Sequence, residues 1–107
     1  MKIAETYTAA VISTAHIAYE DVERINLGVV TRRVGLKWVM SIAFGWLIRL
    51  DVLLAGEESL PLEAMLIKAE ISEATRRNLM KLYDAGFQAV HLDRDAPLVD
   101  DLESWDW

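Results

Sequence analysis

Residues 36–52, LKWVMSIAFGWLIRLDV, alternate in hydropathy twice over. Leu36, Trp38, Met40 and Ile42 fall on one side of an extended chain, and Lys37, Val39 and Ser41 on the other. After Ala43-Phe44-Gly45 the alternation resumes, with Trp46, Ile48, Leu50 and Val52 set against Leu47, Arg49 and Asp51. Side chains of a strand point alternately to its two faces, so two such runs around a short Gly-containing turn predict a β-hairpin. One face is strongly apolar, with Trp38 and Trp46 in register as core residues, and the other is mixed.

The flanking segments supply the remaining elements. TYTAAVIST (6–14) is rich in β-branched residues and apolar on both faces, which predicts a buried strand. Ala18, Val22 and Ile25 then form one helical stripe, with Glu20 and Asp21 in its first turn and Gly28 as its stop. Leu62, Met65, Leu66 and Ala69 predict a short helix over 61–70 that starts at Pro61. Ser72 reads as the N-cap of a helix over 73–85, with Thr75, Leu79, Leu82 and Tyr83 facing inward and Gly86 closing it. FQAVHLD (87–93) predicts the last strand, with His91 on the mixed face beside Lys37, Arg49 and Asp51.

That order, β-α-β-β-α-β, matches the split βαβ arrangement of ferredoxin-like α+β folds. The expectation is a four-stranded antiparallel sheet with helices on one face and the other face open. Strand four would run antiparallel to strand one, which sets His16 and Asp93 at opposite ends of the sheet. With 107 residues, 53% of them hydrophobic, the chain reads as a single domain over 1–107. The open face would present Val39, Leu47, Phe87 and Ala89 as a possible homodimer contact.

Charge is distributed unevenly. Residues 93–107 hold six acids and Arg94, so they carry −5 of the formal net charge of −6. An acidic chain repels phosphates, which argues against direct nucleic-acid binding. The absence of cysteine excludes disulfides, thiolate metal sites and thiol catalysis. The N-terminus lacks a signal-peptide core, and the apolar uncharged run Trp38 to Ile48 is about half the length of a membrane span. A cytoplasmic protein is expected, with no membrane contact. In the acidic segment 94–107, Trp105 and Trp107 alternate with Asp106, so both indoles can pack one way and anchor the segment. An unanchored acidic tail would stay disordered.

Three pieces, STAHI (13–17), FGWLIRL (44–50) and LDRDAPLVDDLESWDW (92–107), together resemble a family of small uncharacterised proteins. Bacterial plasmids, integrative elements and phages carry these proteins. The chain departs from the family's Asp-x-Asp-Gly pattern, with Ala96 in the place of Gly and Pro97 after it. The resemblance implies no chemistry. It implies a mobile-element setting, in which small proteins often act on host machinery, including as anti-CRISPR-like inhibitors of defence complexes.

Chemically, His16 follows the first strand and reads either as a base or metal ligand at a loop mouth, or as a residue that bonds backbone near the turn. The second reading is favoured, since no triad or nucleophile elbow accompanies it. Asp93, Asp95 and Asp100 fail the EF-hand loop pattern, whose ligand, Gly and Glu positions hold Pro97, Leu98 and Ser104. The basic stretches TRR (31–33) and TRRNLMK (75–81) read as solvated surface. No catalytic residue, cofactor or metal is assigned. The expectation is a non-enzymatic interaction protein that meets a basic protein partner through Asp93, Asp95, Asp100, Asp101, Glu103 and Asp106. The alternative is a small enzyme or divalent-metal binder using His16 with Asp93 and Asp95.

Overall fold

The computed structural model describes residues 1–30, 38–55 and 60–107, with the backbone alone for 28–30. The basic stretch at 31–33, together with Leu36 and Lys37, lies outside the described residues. The chain is an α+β domain. Its elements are β1 (Ala9–Ile12), α1 (Val22–Val30), β2 (Val39–Ile42), β3 (Gly45–Arg49), α2 (Leu50–Leu54), α3 (Leu62–Lys68), α4 (Glu73–Asp84) and β4 (Ala89–Asp93). Two 3-10 turns, Thr14–His16 and Tyr19–Asp21, join β1 to α1.

The four strands form one open sheet in the order β1-β4-β3-β2. β4 runs antiparallel to β3 but parallel to β1, with Ala9 opposite Ala89 and Ile12 opposite Leu92. The sheet is therefore mixed, which corrects the expectation of a purely antiparallel one, and the ferredoxin-like order is not confirmed. The physical reason is the long connection through α2, α3 and α4, which lets β4 enter between β1 and β3 in either direction. Because β1 and β4 are parallel, His16, which follows β1, and Asp93, which ends β4, lie toward the same end of the sheet and not at opposite ends.

The hairpin also differs from its expected register. Ala43-Phe44 alone make the turn, Ile42 pairs with Gly45, and Val39 stands opposite Ile48. Phe44 takes the left-handed backbone conformation at φ 67°, and the Arg94 guanidinium lies 4.4 Å from its ring centroid. Gly45 is a strand residue whose missing Cβ makes room for β4, since a methyl group there would overlap the Leu92 carbonyl oxygen. A one-residue change of register exchanges the faces of a strand. Val39 accordingly joins Ile48, Val90, Leu92 and Ile12 in the core, while Met40 and Leu47 lie on the opposite face with His91 and Val11. Trp38 is buried in the core, and Trp46 packs half-buried against it.

Ile25 of α1, Leu53 of α2, Met65 and Leu66 of α3, and Leu79 and Leu82 of α4 close the same core over that face. α1 passes through Gly28 instead of ending there. α2 stands where the alternation of Leu50 and Val52 predicts a continuation of the hairpin strand. α4 has the boundaries its caps imply: Ser72 is the N-cap, and Gly86, at φ 102°, turns the chain toward β4. Ser72 does not cap through its own side chain. The buried Asp21 carboxylate accepts the Ser72 N–H at 2.8 Å and the Ser72 hydroxyl at 2.6 Å, so it serves the N-terminus of α4 rather than its own helix. Tyr83, expected to face inward, is exposed.

The expected homodimer contact set is corrected as well. Val39 and Ala89 have no accessible surface, and Phe87 packs against the core. Only Leu47 of the four remains on the open face, beside Val11, Met40 and His91.

Candidate interaction surface

The acidic segment leaves β4 through a turn that needs no left-handed residue. Asp93 Oδ1 accepts the Asp95 N–H at 2.8 Å, and the Ala96 N–H donates to the Asp93 carbonyl at 3.0 Å. The side-chain oxygen stands in for a backbone acceptor, and Ala96 fits where the related pattern has Gly. From there the chain crosses α4 and returns along residues 13–19.

Two buried polar side chains hold that path. His16 is fully enclosed; its Nδ1 lies 2.8 Å from the Glu103 carbonyl, and its Nε2 accepts the Val99 N–H at 2.9 Å. Asn78 of α4 accepts the Glu103 N–H at 3.0 Å through Oδ1 and donates through Nδ2 to the carbonyls of Glu103 (2.8 Å) and His16 (2.9 Å). Leu102 is buried in the core between them. Buried polar groups are stable only when their hydrogen-bonding capacity is met, and here the partners are backbone groups of a segment that has no regular secondary structure of its own. His16 does bond backbone, but the backbone of the C-terminal segment rather than that of the adjoining turn. Both ring nitrogens are engaged, and none is free for a substrate or metal.

The indoles act further along. The Trp105 backbone N–H donates to the Ala15 carbonyl at 2.7 Å, and its side chain is half-buried. Trp107 donates from Nε1 to the Ile17 carbonyl at 2.8 Å and sets its ring edge-on to Tyr19, with centroids 5.4 Å apart. It remains 48% exposed. Asn78 escaped the sequence reading. Its signal was an amide at position 78 within the inward stripe of Thr75, Leu79 and Leu82, where an apolar residue is the rule.

Of the six acidic residues, Asp95, Asp100, Asp101, Glu103 and Asp106 are exposed and Asp93 is half-buried. Among the described residues the ion pairs are Arg24–Glu70 and Arg49–Asp51, and neither involves this segment. Lys81 approaches it, donating from Nζ to the Asp101 carbonyl at 3.0 Å. Asp93 and Asp95 lie on the same turn, but His16 is turned inward and away from solvent. Among the described residues no group of three or more His, Asp or Glu side chains converges to hold a metal ion, and no helix is long and apolar enough to cross a membrane.

The elements from β1 to the last tryptophan match a family model, described as the C-terminal domain of a family of unknown function, DUF5983, over residues 9–107. The chain belongs to the DUF5983 family. No curated protein and no solved structure matches it. The match begins at the first residue of β1 and runs through Trp107, so the acidic segment lies within the DUF5983 domain.

Proposed function

We propose that this DUF5983 chain is a non-enzymatic interaction protein that offers the carboxylates of Asp93, Asp95, Asp100, Asp101, Glu103 and Asp106 to a basic protein partner. The observation that carries this reading is the combination of a backbone held by His16 and Asn78 with carboxylates that make no ion pair among the described residues. Charges fixed before encounter lose less conformational entropy on binding, and complementary potentials speed association. A partner with a groove built for phosphates would accept such charges, as a host nucleic-acid-binding protein does. The resemblance to proteins of plasmids and phages extends the reading to an inhibitor of a host defence complex in the cytoplasm. The open face bearing Val11, Met40 and Leu47 supports self-association as an accessory property, which light scattering that returns the monomer mass would remove.

The test is a pull-down from bacterial cytoplasm eluted with a salt gradient. It is repeated with a variant carrying Asp95→Asn, Asp100→Asn, Asp101→Asn and Asp106→Asn. A specific partner should elute at moderate salt and bind the neutralised variant at least about tenfold more weakly. Salt-insensitive binding, or equal binding by the variant, would refute the electrostatic reading.

A further inference from the structure

We infer that the outer margin of β1 is a docking surface for the β1 of a second copy, the two strands pairing antiparallel about a two-fold axis at Ala9. Copies then associate side by side, and their open faces run on into one. The inference does not rest on the acidic segment meeting a basic partner.

β1 ends the sheet, with β4 as its strand neighbour. The Thr8 carbonyl accepts the N–H groups of Gln88 and Ala89, and the Thr8 N–H donates to the Gln88 side chain at 2.7 Å, so Thr8 faces β4. Successive residues of a strand turn their N–H and C=O to alternate sides, which leaves those of Tyr7, Ala9 and Val11 directed outward. Among the described residues no loop or side chain bonds the backbone of Ala9 or Val11 from that side. Ala9 is exposed, and Val11 is 54% exposed. Such a margin is a template for a further strand, and chains that stay single blunt it with charge, Pro or a bulge. Residues 6–13, TYTAAVIS, contain no charged residue, no Pro and no Gly. The register with β4 runs unbroken from Ala9 to Ile12, so no bulge interrupts it.

An axis at Ala9 uses all three outward residues. Ala9 meets its own copy, Tyr7 stands opposite the partner's Val11, and Val11 opposite the partner's Tyr7. Each exchanges both backbone bonds with its opposite. Aromatic and β-branched side chains facing each other across a strand pair are mutually stabilising. Tyr7, 41% exposed, is placed for this, with the Arg49 guanidinium 3.8 Å from its ring centroid. On the other side Thr8 falls opposite Ala10, and both are small. Charge favours a second copy in this orientation. β1 and β4 are parallel, so the acidic segment leaves the sheet at the C-terminal end of β1 as well as of β4. Antiparallel pairing sends the two acidic segments to opposite ends of the joint sheet, and two chains of formal charge −6 meet along an uncharged seam. The contact uses the same margin on both copies, so it closes at two chains.

Sedimentation equilibrium of the whole chain tests this. A seam of one short strand pair is small for an interface, so the weight-average mass should climb from one chain toward two between about 5 and 500 μM. Val11→Lys sets a charge on the margin, and Ala9→Pro removes an outward N–H without touching a bond to β4. Each should weaken association at least tenfold, with unfolding in urea at low concentration close to that of the natural chain. Leu47→Ser, on the open face, should leave association unchanged. The chain has no cysteine, so Ala9→Cys supplies one thiol per copy. A short thiol-to-thiol reagent should join two such chains, and should not join Ile67→Cys, whose exposed site lies on α3. A single-chain mass at the highest concentration would overturn the inference. So would association kept by Val11→Lys, equal cross-linking through Ile67→Cys, or association lost in Leu47→Ser, which would mean stacking of the open faces. If Ala9→Pro does not fold, Val11→Lys and the cross-linking still decide.

Discussion

Asn78 pairs with the backbone of Glu103 as a neighbouring strand would, accepting its N–H at 3.0 Å and donating to its carbonyl at 2.8 Å. A single side chain thereby gives an irregular segment the hydrogen bonds that a sheet would supply. Asn78→Leu leaves three backbone groups without this partner, and about 2–4 kcal/mol of stability should be lost. Asn78→Asp keeps the acceptor, loses both donated bonds and buries a charge, so it should cost at least as much. Urea unfolding followed by tryptophan fluorescence measures both.

Leu102 and Trp107 fix the same segment by different means, and their removal should separate. Leu102→Ala opens a cavity in the core and should cost about 2–4 kcal/mol. Trp107→Phe loses chiefly the indole bond to the Ile17 carbonyl at a half-exposed site, worth about 1 kcal/mol. Equal losses in thermal or urea unfolding would contradict this ranking.

Gly45 is the position least able to accept a side chain. An added methyl group would overlap the Leu92 carbonyl in the centre of the sheet, where the backbone cannot yield without breaking β3–β4 pairing. Gly45→Ala should cost at least about 3 kcal/mol. Circular dichroism and recovery of soluble protein provide the check.

Arg49 and Asp51 form a two-pronged pair at 2.9 and 2.7 Å, with the guanidinium also 3.8 Å from the Tyr7 ring centroid. The hydrogen bonds from Arg49 hold the Asp51 carboxyl below its ordinary value, against the opposing effect of burial. A lowered carboxyl stabilises the fold above its unfolded value, about pH 4, and that contribution disappears as pH falls through the lowered one. Asp51→Asn should therefore cost about 1 kcal/mol at neutral pH and nothing measurable in strong acid. Unfolding curves at the two pH values test the sign.

The parts of the fold legible in sequence are those set by local chemistry. Ser72 and Gly86 bracket α4, Pro61 starts α3, and the alternation of 38–49 yields the hairpin. The hairpin register failed because Gly45 was assigned to the turn on conformational grounds, whereas it is needed for close approach and Phe44 takes the positive φ. α2 was missed because Leu50, Val52 and Leu54 continue a period of two, and only the Asp51 N–H bond to the Gln88 carbonyl shows where the strand ends. Strand direction was beyond reach, since hydropathy reports which face is buried and not which neighbour lies alongside. The acidic segment was visible as a charge run, but its fastening to His16 spans 87 residues and has no local mark.

The parallel union of the first and last strands has a consequence for how this protein is made. Thr8 and Gln88, which begin the pairing, are separated by 80 residues. A ribosome adding about 5–20 residues per second needs roughly 4–16 seconds to bridge that interval. Throughout it the apolar side of β1 has no mate, and β3 lacks the neighbour that will separate it from β1. Completion of the sheet thus waits for the synthesis of β4, and a nascent chain stalled before residue 89 would present two unsatisfied strand margins to the chaperones around it.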